Sequence, residues 1–300
     1  IFIIKNYITL KMTRISYNVF FVNLSCLSVV IVCLLLTTTN CSYDGSNGIL
    51  SVDQEPNDIR QYKVFHTLED VLAVLQDPKY KNWTMVSKLL DVWETENKPR
   101  RLKKPLSEKR QYPYIQVEGM QRNLRRSFCR DLAKGMGAKY IRNIPRKFYR
   151  FRRRFIKDIE LQRAYVALGN YVTSMSLKYE LEERPVVMAG FWMNQAALYI
   201  AKKYTNVEEF PPNGSDIYKW PKDLEKPDLI FFHNVHRESP TRKPENEALL
   251  QRISKAYLKF VEPSVIELND TFSNMNREHL RHVRKIIREE LQERYEELEM

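Results

Sequence analysis

Cysteine, histidine and glycine are all scarce in this 300-residue chain, with 4, 5 and 8 residues respectively. Cys26 and Cys33 lie in one apolar run and Cys41 just after it, which leaves Cys129 as the cysteine of the chain body. That excludes a disulfide framework. Arg126 and Arg130 near Cys129 would lower a thiol pKa, but no histidine stands close in sequence to act as its base, so Cys129 reads as a packed or idle thiol. The histidines pair as His233 with His236 and His279 with His282. Neither pair has a third ligand at sensible spacing, so no metal site emerges.

What the chain has in excess is positive charge. The formal net charge is +12, and Lys98 to Arg163 alone holds 22 Lys and Arg against 5 Asp and Glu, leaving the remainder net negative. With 43% hydrophobic and 29% charged residues the chain can bury one sizeable core plus an appendage.

Four regions are legible. Residues 1–41 contain Arg14, an apolar run from Val19 to Leu36 and a small polar end at Thr37 to Ser42, the layout of a secretory signal peptide. A membrane anchor and a mitochondrial presequence are the alternatives. Asn82, Asn213 and Asn269 head glycosylation triplets that fit a secreted protein. Residues 42–97 form a polar lead and a two-helix extension, with helices expected over 67–75, N-capped by Thr67, and over 84–95. Residues 98–110 are a basic, proline-bounded linker. From 111 to 300 strand alternates with helix, which predicts an α/β domain with a five-stranded parallel sheet covered on both faces. The expected strands are 112–117, 139–144, 185–188, 228–235 and 264–268. The long helices are expected over 159–182 and 276–298.

Between the first strand and its helix lies Glu118-Gly119-Met120-Gln121-Arg122-Asn123-Leu124-Arg125-Arg126-Ser127. A phosphate-binding loop, G-x-x-x-x-G-K-[ST], is credible only in such a strand-to-helix setting. Its glycines let the backbone wrap a phosphate, its lysine reaches the outer phosphates and its hydroxyl holds Mg²⁺. Here Gly119 stands alone: Leu124, Arg125 and Arg126 take the places of the second glycine, the lysine and the hydroxyl. Ser127 supplies a hydroxyl only after a slip of register.

Three further segments carry a family resemblance: Arg163 to Tyr171, Arg184 to Val187 and Ile217 to Ile230. Residues 111–292 resemble the thymidylate kinase family, most closely its mitochondrial UMP-CMP kinase branch. The resemblance implies a P-loop NTPase three-layer sandwich, preceded by a short helical extension, with ATP at the loop, a nucleoside monophosphate across the sheet and an arginine-bearing lid. It places the loop at Glu118, Gly119, Arg122, Leu124, Arg125, Arg126 and Ser127, and the acceptor at Arg163, Tyr165, Asn170 and Trp192. The lid would use Arg237, Arg242 and Lys243. Where the family carries an Asp-Arg motif after its third strand, this chain reads Ala189-Gly190. Tyr165 also fits the apolar stripe of its own helix, so core packing stands beside base stacking.

The losses at the loop and at Ala189-Gly190 point to a protein that has kept the fold and lost the chemistry. The alternative is an active nucleoside monophosphate kinase working with ATP and Mg²⁺ through substitute residues; otherwise no cofactor is expected. A non-catalytic protein could bind a nucleotide or other anion through Arg122, Arg125, Arg126 and Arg130, joined by the stretch Lys147 to Phe155. Phe148, Phe151 and Phe155 share one helical face there, which suits a polyanion or an anionic membrane surface if exposed, and an ordinary core-facing stripe if not. A protein-interaction scaffold is the other reading.

Overall fold

The computed structural model describes residues 63–98, 107, 109–234, 244–268 and 277–295, all within one compact unit. The leader, most of the basic linker, the lid with Arg237, Arg242 and Lys243, and the triplet at Asn269 lie outside the described residues.

The strands are β1 (Tyr114–Gly119), β2 (Lys139–Arg142), β3 (Val186–Ala189), β4 (Leu229–His233) and β5 (Val265–Leu268). They form one sheet in the order β2-β3-β1-β4-β5, every neighbouring pair parallel. Parallel strands need long crossovers, and these are helices. The extension contributes α1 (Leu68–Leu75) and α2 (Thr84–Glu96); α3 (Arg122–Gly135), α4 (Ile159–Glu180), α5 (Trp192–Lys203), α6 (Pro244–Tyr257) and α7 (Arg277–Leu291) follow.

The faces sort by strand alternation. Ile115, Val117, Val187 and Phe231 pack with Phe128 and Leu132 of α3 and with Val283, Ile287 and Leu291 of α7. Tyr114, Val186, Met188, Ile230 and Phe232 turn the other way, toward α4, α5 and α6. The result is a three-layer α/β sandwich, a parallel sheet with helices on both faces.

The extension is built into that second layer. Val71 and Leu75 of α1, and Val86 and Leu89 of α2, share the core cluster of α4 and β1. Thr67 caps α1 as expected, its hydroxyl accepting from the Asp70 N–H at 3.0 Å.

Three departures from the sequence reading bear on the site. β1 runs through Glu118 to Gly119, because both continue the ladder with β4 opposite Phe232 and His233. β2 stops at Arg142, two residues early; Ile144 adopts φ +64, outside the range of a strand. The stretch from Lys147 to Phe155 is a 3₁₀ turn over Arg146–Phe151 and irregular chain beyond, and Phe148, Phe151 and Phe155 are all buried. Its phenylalanines are core, so they offer nothing to a membrane.

Asp228 fastens the start of the sheet. Its carboxylate, 1% exposed, accepts from Arg110 at 2.7 Å, Arg294 at 2.8 Å, the Tyr295 hydroxyl at 3.1 Å and the Tyr114 backbone N–H at 2.8 Å. This explains the Pro227-Asp228-Leu229 end of the family-like segment: one carboxylate ties the linker, β1, β4 and the chain after α7 together. Asp228→Asn should cost about 3 kcal/mol, because Arg110 and Arg294 both lose this buried anion and Arg110 keeps, among the described carboxylates, only Glu225, at 3.0 Å. Urea unfolding would register the loss, and an unchanged midpoint would show that the cluster contributes little.

Candidate functional site

The core-facing side of β1 is polar along its whole length. The Tyr114 hydroxyl donates to Gln116 Oε1 at 2.8 Å, and Gln116 Nε2 donates to Glu118 Oε1 at 2.8 Å. Glu118 also accepts from the Phe191 backbone N–H at 2.9 Å and from the Tyr257 hydroxyl at 3.0 Å, and Asn194 in turn donates to that hydroxyl at 3.1 Å. Tyr114, Gln116 and Glu118 are all fully buried. Burial raises the Glu118 pKa to about 6, against the opposing pull of the Arg125 charge and its three hydrogen bonds.

Arg125 is the cation of this interior. Helical side chains lean toward the N-terminus of their helix. From the first turn of α3, Arg125 therefore reaches back over the connection from β1, and its Nη1 donates to the Gly119 carbonyl. Only 6% of the residue is exposed. The guanidinium lies against Gly190, where an added Cβ would meet its Nη2, Cζ and Nε at 3.1 to 3.3 Å. Gly119, at φ +151, has a matching restriction: a Cβ there would come within 2.7 Å of the His233 carbonyl oxygen. Gly190, at φ +70, stands where the family resemblance expects an arginine. The glycine at 190 and the arginine at 125 fit one another.

The loop itself is short. β1 ends at Gly119 and α3 begins at Arg122, so only Met120 and Gln121 join them. Two residues cannot wrap a phosphate as the longer glycine-bounded loop does. Leu124 is half-buried and Ser127 exposed, both within α3. No hydroxyl or carboxylate at this turn is placed as a Mg²⁺ donor, and Arg126 occupies the position that would need one. The donor set does not fit a magnesium-bound phosphate. Among the described residues there is also no group of three or more metal-ligating side chains.

The arginines read as one set separate into two. Arg125 turns inward, whereas Arg122 and Arg126, one helical turn apart, face the end of β2. There they are joined by Arg142 and Arg152, with Tyr149 alongside: the Arg142 guanidinium lies 5.5 Å from the Tyr149 ring centroid. Partial burial and then the neighbouring Arg126, Arg152 and Arg142 charges lower the Arg122 pKa to about 10. The same causes, burial and then Arg142, lower that of Arg126. Arg130 is exposed further along α3. Arg142 was not singled out from the sequence; its position at the carboxyl end of a parallel strand, where α/β folds hold ligands, is the signal that could have found it.

The four residues of the expected acceptor side also divide. Tyr165 is core: it is 1% exposed, its hydroxyl donates to the Phe148 carbonyl at 3.0 Å, and its ring stacks on Phe148. Asn170 is buried between Asn143 and Gln195, at 2.8 and 2.9 Å. Arg163 and Trp192 meet a different partner, the segment 63–66 that leads into α1. Arg163 Nη2 donates to the Lys63 carbonyl, and its guanidinium lies 5.0 Å from the Phe65 ring centroid and 4.1 Å from that of Tyr199. Trp192 Nε1 donates to the Phe65 carbonyl at 2.6 Å, and its ring meets His66 edge-on at 5.4 Å. The extension thus lies directly on two of the four residues.

Cys129 is fully buried on α3, and burial pushes its thiol well up, the reverse of a reactive thiolate. His233 packs with His279, at 5.9 Å between ring centroids, both against Phe128.

No family model matches the chain. Human mitochondrial UMP-CMP kinase 2 is 24% identical over 154 residues, which are 51% of this chain and 34% of that protein. The chain therefore matches about a third of the length of this curated relative. Among solved structures, thymidylate kinase from Candida albicans superposes with a TM-score of 0.40 at 16% identity, over 59% of this chain and 91% of that one. The sequence similarity is to a nucleoside monophosphate kinase, over about half of this chain.

The buried carboxylate sets a pH dependence. Because the folded pKa of Glu118 lies near 6, above its ordinary 4.5, the folded state holds that proton more tightly than the unfolded chain does. Its favourable contribution is fully present below pH 4.5 and is lost as pH rises through about 6, a swing of about 2 kcal/mol. Denaturant midpoints at pH 5 and pH 7.5 should show this component in the native protein and not in Glu118→Gln. An identical pH profile in the variant would remove Glu118 from the account.

Proposed function

We propose that this chain is a kinase-like protein that has given up phosphoryl transfer and holds an anionic, phosphate-bearing ligand on its arginine face. The observation that carries the first half is Arg125. Phosphoryl transfer depends on positioned cations and Mg²⁺ neutralising charge between phosphates. At this loop the cation is turned into the protein, bonded to the Gly119 carbonyl and set against the buried Glu118 carboxylate. The turn is two residues long, and the segment 63–66 covers Arg163 and Trp192. Each removes a contribution that comparable sites need, and together they leave ATP and an acceptor nucleotide without their usual contacts.

The second half rests on Arg122, Arg126, Arg142 and Arg152. Arginines gathered on one face make a patch of one sign, which raises the local concentration of a multivalent anion. Arginine's planar fork matches phosphate oxygens in pairs. Since the relative is a UMP-CMP kinase, pyrimidine nucleotides are the first anions to try.

The test combines turnover with binding. In a coupled assay with ATP-Mg²⁺ and UMP, CMP or dTMP, the purified chain should form no diphosphate above background. Tripolyphosphate should raise its melting temperature in low salt and lose that effect in high salt, as contacts to exposed phosphate do. The double substitution Arg126→Glu, Arg142→Glu should abolish the shift while leaving the unliganded melting temperature within a few degrees. Saturable turnover with any of the three acceptors would establish the other reading, an active kinase with substitute residues. A tripolyphosphate shift unaffected by the double substitution would move the anion site elsewhere.

A further inference from the structure

We propose that the cavity between the segment 63–67, the end of α5 and the loop 216–223 is a binding site for a small aromatic anion. It is separate from the arginine face and shares no residue with the β1–α3 turn. Its volume is about 660 Å³, within the range of pockets that enclose small organic ligands.

Its walls are apolar and fixed. Val64, Tyr199, Ile217, Trp220 and Pro221 line it. The Trp220 indole is oriented by its Nε1 bond to the Leu224 carbonyl at 3.1 Å and by ring contacts with Phe191 at 6.0 Å and Trp192 at 5.5 Å. Tyr199 is held by the Arg163 guanidinium 4.1 Å from its ring centroid. Two lining aromatic rings are kept in place by other groups, so little ordering cost falls on binding a third aromatic ring in the cavity.

The rim supplies the charge. Lys63, Lys203, Lys219 and Lys222 line the cavity against two carboxylates, Asp216 and Asp223. Both carboxylates are engaged: Asp216 with Lys219 at 2.6 Å, and Asp223 with the Leu68 N–H at 2.8 Å and the Tyr171 hydroxyl at 3.2 Å. With Asp216 paired to Lys219, the remaining Lys63, Lys203 and Lys222 outnumber the one charge of Asp223, and the balance is cationic. Flexible ammonium groups around an aromatic slot suit a ring carrying a phosphate, sulfonate or carboxylate; they offer nothing to a neutral ring and no apolar contact to a bare anion.

Calorimetric titration of the full chain with 1-naphthyl phosphate tests this, with 1-naphthol and inorganic phosphate as half-ligands. Naphthyl phosphate should bind saturably, and each half-ligand at least about tenfold more weakly. Reversing two rim charges, Lys203→Glu with Lys222→Glu, should weaken naphthyl phosphate by about tenfold, the size expected of partly exposed charge contacts, with the melting temperature unchanged. Arg126→Glu with Arg142→Glu should leave its affinity unchanged, which keeps this site distinct from the arginine face. Absence of binding, equal binding of naphthol, or sensitivity to the arginine pair instead of the lysine pair would each overturn the proposal.

Discussion

The carboxylate of Glu118 is the group around which the centre of this molecule is arranged. An ion in the interior is tolerated only when hydrogen bonds and an opposite charge replace the water it has left. Glu118 obtains them from each surrounding element: Gln116 on its own strand, the Phe191 N–H at the turn after β3, the Tyr257 hydroxyl on α6, and the charge of Arg125 from α3. The glycines follow from the same requirement. Gly190 leaves space for the guanidinium, and Gly119 lets β1 pass close to the His233 carbonyl. Turning Arg125 outward to meet a phosphate would strip Glu118 of its neighbouring positive charge and empty the space beside Gly190. The inward position is therefore held by packing and electrostatics together.

The far side of the expected nucleotide site is closed by chain from outside the sheet. The segment 63–66 leads directly into α1, and α1 and α2 are embedded in the core through Val71, Leu75, Val86 and Leu89. Lifting 63–66 off Arg163 and Trp192 would break the bonds to the Lys63 and Phe65 carbonyls and expose the Phe65 ring. The extension is thus a structural layer whose leading edge covers Arg163 and Trp192, and the 660 Å³ cavity lies along that same edge.

Much of the architecture was legible because its signals are local or periodic. Fully buried parallel strands read as short apolar runs, and the Val283, Ile287 and Leu291 stripe of α7 announces its buried face. The site was less legible, for two physical reasons. A charged side chain is expected at the surface, so Glu118 was read as part of a turn and Arg125 as part of an exposed cluster; only the three-dimensional pairing makes both interior. The contact of Arg163 with Lys63 spans 100 residues of sequence, and no local pattern encodes it. Where two readings were left open, packing separated them: Tyr165 and the Phe148, Phe151, Phe155 stripe are core.

The protein's own groups occupy both places where the family resemblance expects a nucleotide: Arg125 is bonded to the Gly119 carbonyl, and the segment 63–66 lies on Arg163 and Trp192. Amide hydrogen exchange over residues 63–68 and 119–126, with and without saturating ATP-Mg²⁺ plus UMP, tests it most directly. The account predicts that nucleotides change the exchange of neither segment. Rapid exchange in the free protein that slows when nucleotides are added would contradict it, because it would mean that the site is open and closes on its ligands.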